Sequence, residues 1–157
     1  MTFLRPTNAD QALSFLDQYR GQILAGGTDL YAQNDAPVAL SKTPVLDITA
    51  VSAWARMDIG RDALWIGAGV TLAQLKNATL PDACRALQQA CGMVGGAQIQ
   101  NRGTLVGNVC NASPAADTVP PLMALNAVVE IACAKGSRSV PIRDFILAPR
   151  KIDLAAN

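Results

Sequence analysis

"ILAGGTDL", residues 23–30, is the stretch on which the reading of the fold turns. Ile23, Leu24 and Ala25 have the apolar character of a short strand. Gly26-Gly27 ends it, because a glycine pair is poor material for the interior of either a strand or a helix. Thr28 or Asp29 can then cap a short helix through Leu30 and Tyr31. In such a strand, turn and helix, successive backbone N–H groups line a concave nest of positive partial charge, suited to a phosphate or pyrophosphate without any basic side chain. The same residues also read as an ordinary strand-to-helix turn, since the pair matches neither the dinucleotide fingerprint nor the P-loop.

Upstream, Phe3-Leu4-Arg5 reads as a strand closed by Pro6. Thr7 or Asn8 can cap a helix whose apolar positions Ala9, Ala12, Leu13 and Leu16 follow helical spacing and which Gly21 ends. Downstream, Pro37 and Pro44 bound an irregular segment, and Val45 to Ile48 form a third strand. These elements make a compact first lobe, residues 1–52. A second lobe, residues 53–157, opens with a predicted hairpin of Arg56–Ile59 and Leu64–Ile66 around Gly60-Arg61-Asp62. Thr71 is placed to cap a helix over Leu72–Lys76, and Pro81 or Asp82 to start another that Gly92 stops. Pro120–Leu125 reads as a short helix, Val128–Ala134 as a strand, and Val140-Pro141-Ile142 as a strand entered from the Lys135-Gly136-Ser137 turn. The fold class is α+β, in two lobes.

Between these elements lies "GGAQIQNRGTLVGNVCNASPAAD", residues 95–117, too polar for a core and too apolar for a linker. It carries a second glycine turn, Gly103 to Gly107, flanked by Arg102, Thr104, Asn108, Asn111, Ser113 and Asp117. Backbone donors for phosphates and side-chain partners for sugar hydroxyls occur there together. Two such turns imply one large anionic ligand held between the lobes. The alternative is a single long polar loop, although loops of that length without a task are uncommon in compact domains.

Composition narrows the chemistry. With 13 basic and 12 acidic side chains, a net charge of +1 and 4% aromatics, the chain has neither the field nor the stacking surface of a nucleic-acid binder. No stretch approaches the roughly 20 apolar residues of a membrane span, and the N-terminus lacks a signal-peptide pattern, so the expected location is cytoplasmic. Cys84, Cys91, Cys110 and Cys133 form no CxxC pair and the chain has no histidine. A metal site built by this chain is not expected, and every histidine-based triad or base is excluded. No catalytic side chain stands out, so the chemistry is expected to belong to a bound cofactor.

"AGGTDL" followed downstream by "IQNRGTLVGNVCNASPAAD" resembles the FAD-binding domain, or medium subunit, of the molybdenum hydroxylase family, which includes xanthine, aldehyde and carbon monoxide dehydrogenases. The resemblance extends over essentially the whole chain. It implies a two-lobed FAD-binding fold of the vanillyl-alcohol oxidase and MurB (PCMH-like) type, with FAD extended between the lobes. Carried over by position, Ile23, Leu24, Ala25, Gly26, Gly27, Thr28, Asp29 and Leu30 would wrap the pyrophosphate. Thr104, Leu105, Val106, Gly107 and Asn108 would close the other side, Asp117 would hydrogen-bond FAD, and Val94 would line its apolar surface. The implied function is electron transfer from [2Fe-2S] clusters on a small partner subunit, fed by a molybdenum–pterin large subunit, through FAD to NAD⁺ or another acceptor.

Two departures from the family pattern stand out. Val106 occupies the first position of what is usually Gly-Gly-Asn, and its side chain is expected to point away from the ligand. The sequence also ends at Asn157 where the family continues through further strands and another domain, which implies a pocket truncated at its C-terminal side. Two other readings stay open: a stand-alone flavin reductase of the MurB kind, and a scaffold that keeps the fold without FAD.

Overall fold

The computed structural model describes residues 2–19, 21–32 and 42–154; Pro37, in the segment read as irregular, lies outside them. The chain opens with β1 (Phe3–Leu4), α1 (Ala9–Gln18), β2 (Gln22–Leu24) and β3 (Val45–Asp47). The three strands form a parallel sheet in the order β1-β3-β2, with Ile23 opposite Leu46. Asn8 caps α1: its backbone is extended and its Oδ1 accepts from the Gln11 N–H at 3.0 Å. Ala12 and Phe15 form the buried stripe, with Leu16 packed beside them against Leu46 and Ile48. Phe15 is thus the main anchor, sharing its face with Ala12 and Leu16 as the spacing suggested, while Ala9 and Leu13 lie outside the buried stripe. The helix ends at Tyr19, whose backbone is extended, before Gly21 is reached.

Beyond a 3-10 turn at Ser52–Ala55, β4 (Met57–Ile59) and β5 (Leu64–Ile66) form the expected antiparallel hairpin. Thr71 starts α2 (Leu72–Asn77) with a full capping box: its hydroxyl accepts from the Gln74 N–H, and Gln74 Oε1 accepts from the Thr71 N–H at 2.8 Å. A 3-10 turn at Asp82–Cys84 feeds α3 (Arg85–Met93), which runs through Gly92 instead of stopping there. Gly95, at φ +57°, makes the reversal.

The polar stretch that follows is not one long loop. It folds into α4 (Ala97–Arg102) and α5 (Leu105–Asn111), and α6 (Val119–Ala124) begins just beyond it. Leu105 and Val109, four residues apart, give α5 an apolar edge that its glycine and asparagines disguise. β6 (Val128–Cys133) and β7 (Gly136–Pro141) form a hairpin, and Ile142 opens α7 (Ile142–Phe145) rather than continuing the strand. β8 (Ile146–Ala148) and β9 (Lys151–Ile152) close the described chain.

Two main hydrophobic cores result among the described residues, with a small Leu24–Val45 cluster besides. The smaller contains Ala12, Phe15, Leu46 and Ile48, with Trp54 and Ala68 reaching over to it from beyond residue 52. The larger includes Leu72, Leu75, Leu87, Leu105, Val109, Ile142 and Phe145. At about 1.5–3 kcal/mol for each large apolar side chain fully buried, the second carries most of the hydrophobic stabilisation. The two glycine motifs lie where these cores adjoin.

Candidate functional site

The first motif begins where β2 runs out. Ala25 and Gly26 bend the chain, Gly27 takes φ +75°, and residues 28–32 make a single turn. In that turn the Tyr31 N–H donates to the Gly27 carbonyl at 2.9 Å and the Ala32 N–H to the Asp29 carbonyl at 3.2 Å. The expected helix goes no further within residues 28–32, because neither candidate cap serves the turn. The Thr28 hydroxyl lies against Gly103, and the Asp29 carboxylate accepts from Asn111 Nδ2 at 2.8 Å.

The N–H groups of Gly26, Gly27, Thr28 and Asp29 have no acceptor among the described residues, although the first three residues are half-buried. Buried backbone groups are nearly always paired, whereas these partly exposed donors stay open to solvent or to the acceptor atoms of a ligand. Such a run of donors can serve an anionic group without needing a positive side chain.

The second motif is built differently. The Leu72 N–H donates to the Gly103 carbonyl at 2.9 Å and the Leu105 N–H to the Val70 carbonyl at 3.2 Å, an antiparallel bridge pairing Thr71 with Thr104. This bridge locks the starts of α2 and α5 together. Thr104, buried, then caps α5 by accepting from the Gly107 N–H at 3.0 Å, and its carbonyl accepts from the Asn108 N–H at 3.0 Å. Asn108 Oδ1 accepts from the Thr118 hydroxyl at 2.6 Å. The amides of Leu105, Gly107 and Asn108 are therefore committed within the protein. This segment supplies a rigid wall, while the first motif supplies the donors.

The two motifs meet at the backbone. A Cβ on Gly26 would lie 2.1 Å from the Arg102 carbonyl oxygen and 2.8 Å from Gly103 Cα. Gly26 is glycine because the polypeptide of the other motif occupies the space a side chain would need. Beside this contact runs a crevice of about 160 Å³, lined by Gly26, Thr49, Thr71, Arg102 and Thr104 among others. A wider cleft of about 630 Å³ opens on the other flank, between Asp29, Ala32, Cys110, Asn111 and Arg150.

The remaining sequence-derived residues surround these openings. Ile23 is exposed and Leu24 buried on β2, and Leu30 packs against the Leu24–Val45 pair. Leu105 is buried in the larger core, Val106 is half-buried and Gly107 exposed. Val94 packs partly against the larger core, and Asp117 is exposed in the turn before α6, its carboxylate without a protein partner among the described residues. Arg150 was not singled out from the sequence. It belongs to no glycine motif, and only the folding of the β8–β9 hairpin brings it to Asn111 and Asp29.

The side chains offer little reactive chemistry. Burial pushes the Cys110 thiol up to about 11, which keeps it protonated at neutral pH and unsuited to act as a nucleophile. Among the described residues no cluster of histidine, cysteine or carboxylates could hold a metal ion, and no helix is long and apolar enough to cross a membrane.

Comparison with known proteins identifies the family. The family described as the FAD binding domain in molybdopterin dehydrogenase matches residues 1–157. The FAD-subunit of nicotinate dehydrogenase from Eubacterium barkeri is 32% identical over 148 residues, covering 91% of this chain and 49% of the relative. The FAD-binding subunit of xanthine dehydrogenase from Escherichia coli O157:H7 is 32% identical over 154 residues, 94% of this chain and 51% of its own length. The chain thus spans about half the length of the relatives it matches. Among solved structures, quinoline 2-oxidoreductase from Pseudomonas putida 86 superposes with a TM-score of 0.86 at 26% identity, over 99% of this chain and 55% of that one. Carbon monoxide dehydrogenase from Hydrogenophaga pseudoflava does so with a TM-score of 0.87 at 22% identity, also over 99% and 55%, which establishes the shared fold. With its whole length matched by that family, the chain belongs to the FAD-binding domains of the molybdopterin dehydrogenases.

Proposed function

We propose that this chain is the FAD-holding part of an electron-transfer subunit in a molybdenum-containing hydroxylase or dehydrogenase. The observation that carries the reading is the run of unclaimed amides from Gly26 to Asp29, whose first residue lines the smaller crevice and whose last lines the wider cleft. A pyrophosphate bridge needs several donors at short range, and four consecutive N–H groups supply them in a setting where water is partly excluded. The residues present therefore fit a dinucleotide. In this reading Ile23 to Leu30 hold the pyrophosphate, Thr104 to Asn108 form the facing wall, Val94 contributes apolar surface, and the exposed carboxylate of Asp117 accepts from a hydroxyl of the cofactor. The division into residues 1–52 and 53–157 belongs to the same reading, the cofactor lying between the lobes.

FAD supplies reversible hydride and single-electron chemistry when bound; the protein binds, orients and shields it. No side chain of this chain is required as acid or base. The relatives' names describe FAD subunits of nicotinate and xanthine dehydrogenases, which supports partner chains here as well: a molybdenum–pterin large subunit and a [2Fe-2S] small subunit. Electrons would arrive from the clusters and leave to NAD⁺ or another acceptor in the cytoplasm.

The test is direct. The full-length protein, purified and reconstituted with FAD, is expected to show flavin absorption and to release FAD rather than FMN on denaturation. A protein that stays colourless after reconstitution would refute the reading and leave a fold without its cofactor.

A further inference from the structure

We propose that Arg150 is a positioning residue for the dinucleotide site, acting through Asn111 and Asp29 to hold the first glycine turn in its binding conformation. The inference rests on the FAD reading above and adds a part of the machinery that the glycine motifs do not contain.

The network begins with Asp29, which follows directly on the three unclaimed amides of Gly26, Gly27 and Thr28 and carries the fourth. Its carboxylate Oδ1 accepts from Asn111 Nδ2 at 2.8 Å and lies 3.9 Å from Arg150 Nη1. Arg150 Nη1 in turn donates to Asn111 Oδ1. Asn111 is the last residue of α5, and its amide works in both directions, donating to the acid and accepting from the base. A primary amide can do this because its NH₂ group donates while its carbonyl oxygen accepts.

The backbone supports the same conclusion. Arg150 sits in the tight connection between β8 and β9 at φ +61°, a left-handed conformation that favours glycine. Its N–H donates to the carbonyl of Ala112, the left-handed C-cap of α5, at 2.8 Å. The turn would be better served by glycine, and an arginine there brings a guanidinium to the glycine turn. A strained residue whose side chain reaches a candidate site is a reasonable sign of function.

The consequence is a matter of populations. A turn rich in glycine has many accessible conformations, and ligand affinity falls in proportion to the fraction of the free protein that holds the competent one. Tying Asp29 to α5 and to the β8–β9 hairpin removes much of that freedom before the ligand arrives. The cofactor is not touched in this scheme, which distinguishes positioning from direct contact.

The experiment uses the full-length protein freed of FAD. The FAD dissociation constant is measured for the wild type, Arg150→Gly, Asp29→Asn and the double variant, together with thermal stability and hydrogen exchange of residues 26–31. Arg150→Gly is expected to weaken FAD about fivefold, the scale of a solvent-facing charge network. Its melting temperature should be unchanged or higher, because glycine relieves the left-handed backbone. Exchange at residues 26–31 should rise in the absence of FAD, and the double variant should weaken FAD no more than the worse single variant. Unchanged affinity in Arg150→Gly, or additive losses in the double variant, would overturn the proposal, additivity pointing to direct contact of Arg150 with the cofactor. Failure of the wild type to bind FAD would instead refute the flavoprotein reading, and the positioning role would fall with it.

Discussion

Gly26 and Gly27 are neighbours kept for different reasons. At Gly26 the obstacle is the other motif's main chain, whose Arg102 carbonyl would meet a Cβ at 2.1 Å. A methyl group there has to push two backbone segments apart, so Gly26→Ala is expected to cost about 2–3 kcal/mol, at the upper end of overpacking penalties. Gly27 is constrained by its own φ of +75° and by the Tyr31 ring, 2.7 Å from a Cβ. Gly92 is the opposite case: it lies inside α3, and an added Cβ would meet only the Lys76 side chain at 3.6 Å. Gly92→Ala is therefore expected to stabilise the fold by about 0.5–1 kcal/mol. Urea midpoints of the two variants should move in opposite directions, and a shift of the same sign would contradict both arguments. The pairing of the two glycine turns around one site was legible, but the direct contact of Gly26 with the Arg102 and Gly103 backbone was not, because that partner lies far along the chain. Cys110 gives a pH-dependent counterpart. Its thiol ionises at an ordinary value of 9.0 once unfolded but keeps its proton to about 11 in the fold. The folded state therefore binds more protons between those values, and the stability linked to this thiol is present in full below pH 9 and lost as pH rises towards 11. The loss should reach at most about 3 kcal/mol. Cys110→Ala should flatten this part of a stability profile recorded from pH 8 to pH 11; an unchanged slope would place the thiol in contact with solvent.

At the scale of elements, α5 decides whether the site has a firm wall. It is seven residues long, too short to persist on its own. What fixes it is the pair of backbone bonds between residues 70–72 and 103–105, the buried Thr104 cap, and the bond from Thr118 to Asn108. Thr104→Val preserves the shape and β-branching but deletes the hydroxyl that accepts from Gly107, and should cost about 1–2 kcal/mol. Thr118→Val leaves Asn108 Oδ1 without its donor, at about 1 kcal/mol. Chemical denaturation of each variant measures both, and an unmoved midpoint would show that the bridge to α2 suffices. The Thr71 cap, the β4–β5 hairpin and the Asn8 cap were readable because each depends on residues close in sequence. Helices α4 and α5 were not, since glycine, asparagine and glutamine hide a periodicity whose apolar members, Leu105 and Val109, become visible only once the larger core is assembled. Arg150 was illegible for a related reason: its role depends on a left-handed turn and on two residues brought from elsewhere in the chain.

Across the whole molecule, the division of apolar residues predicts unequal resistance to opening. The smaller core rests on Ala12, Phe15, Leu46 and Ile48 under a sheet of short strands, whereas the larger joins residues from α2, α3, α5, α6, β7 and α7. A region with few buried contacts opens at lower free energy than the global transition. Amides of β2 and β3 should therefore exchange through a subglobal opening, while those of α2 and α3 exchange only on complete unfolding. The glycine turn belongs to the weaker part and yet carries the donors, so a ligand held there has to stabilise the region that opens first. FAD at a hundredfold excess over its dissociation constant should raise the free energy of any opening that abolishes binding by about 2.7 kcal/mol. The effect should be seen first in β2 and β3. Native-state hydrogen exchange of the full-length protein, with and without FAD, measures this directly. Equal protection of the two regions without ligand would contradict the unequal-core argument, and a ligand effect confined to α2 and α3 would remove the cofactor from the glycine turn.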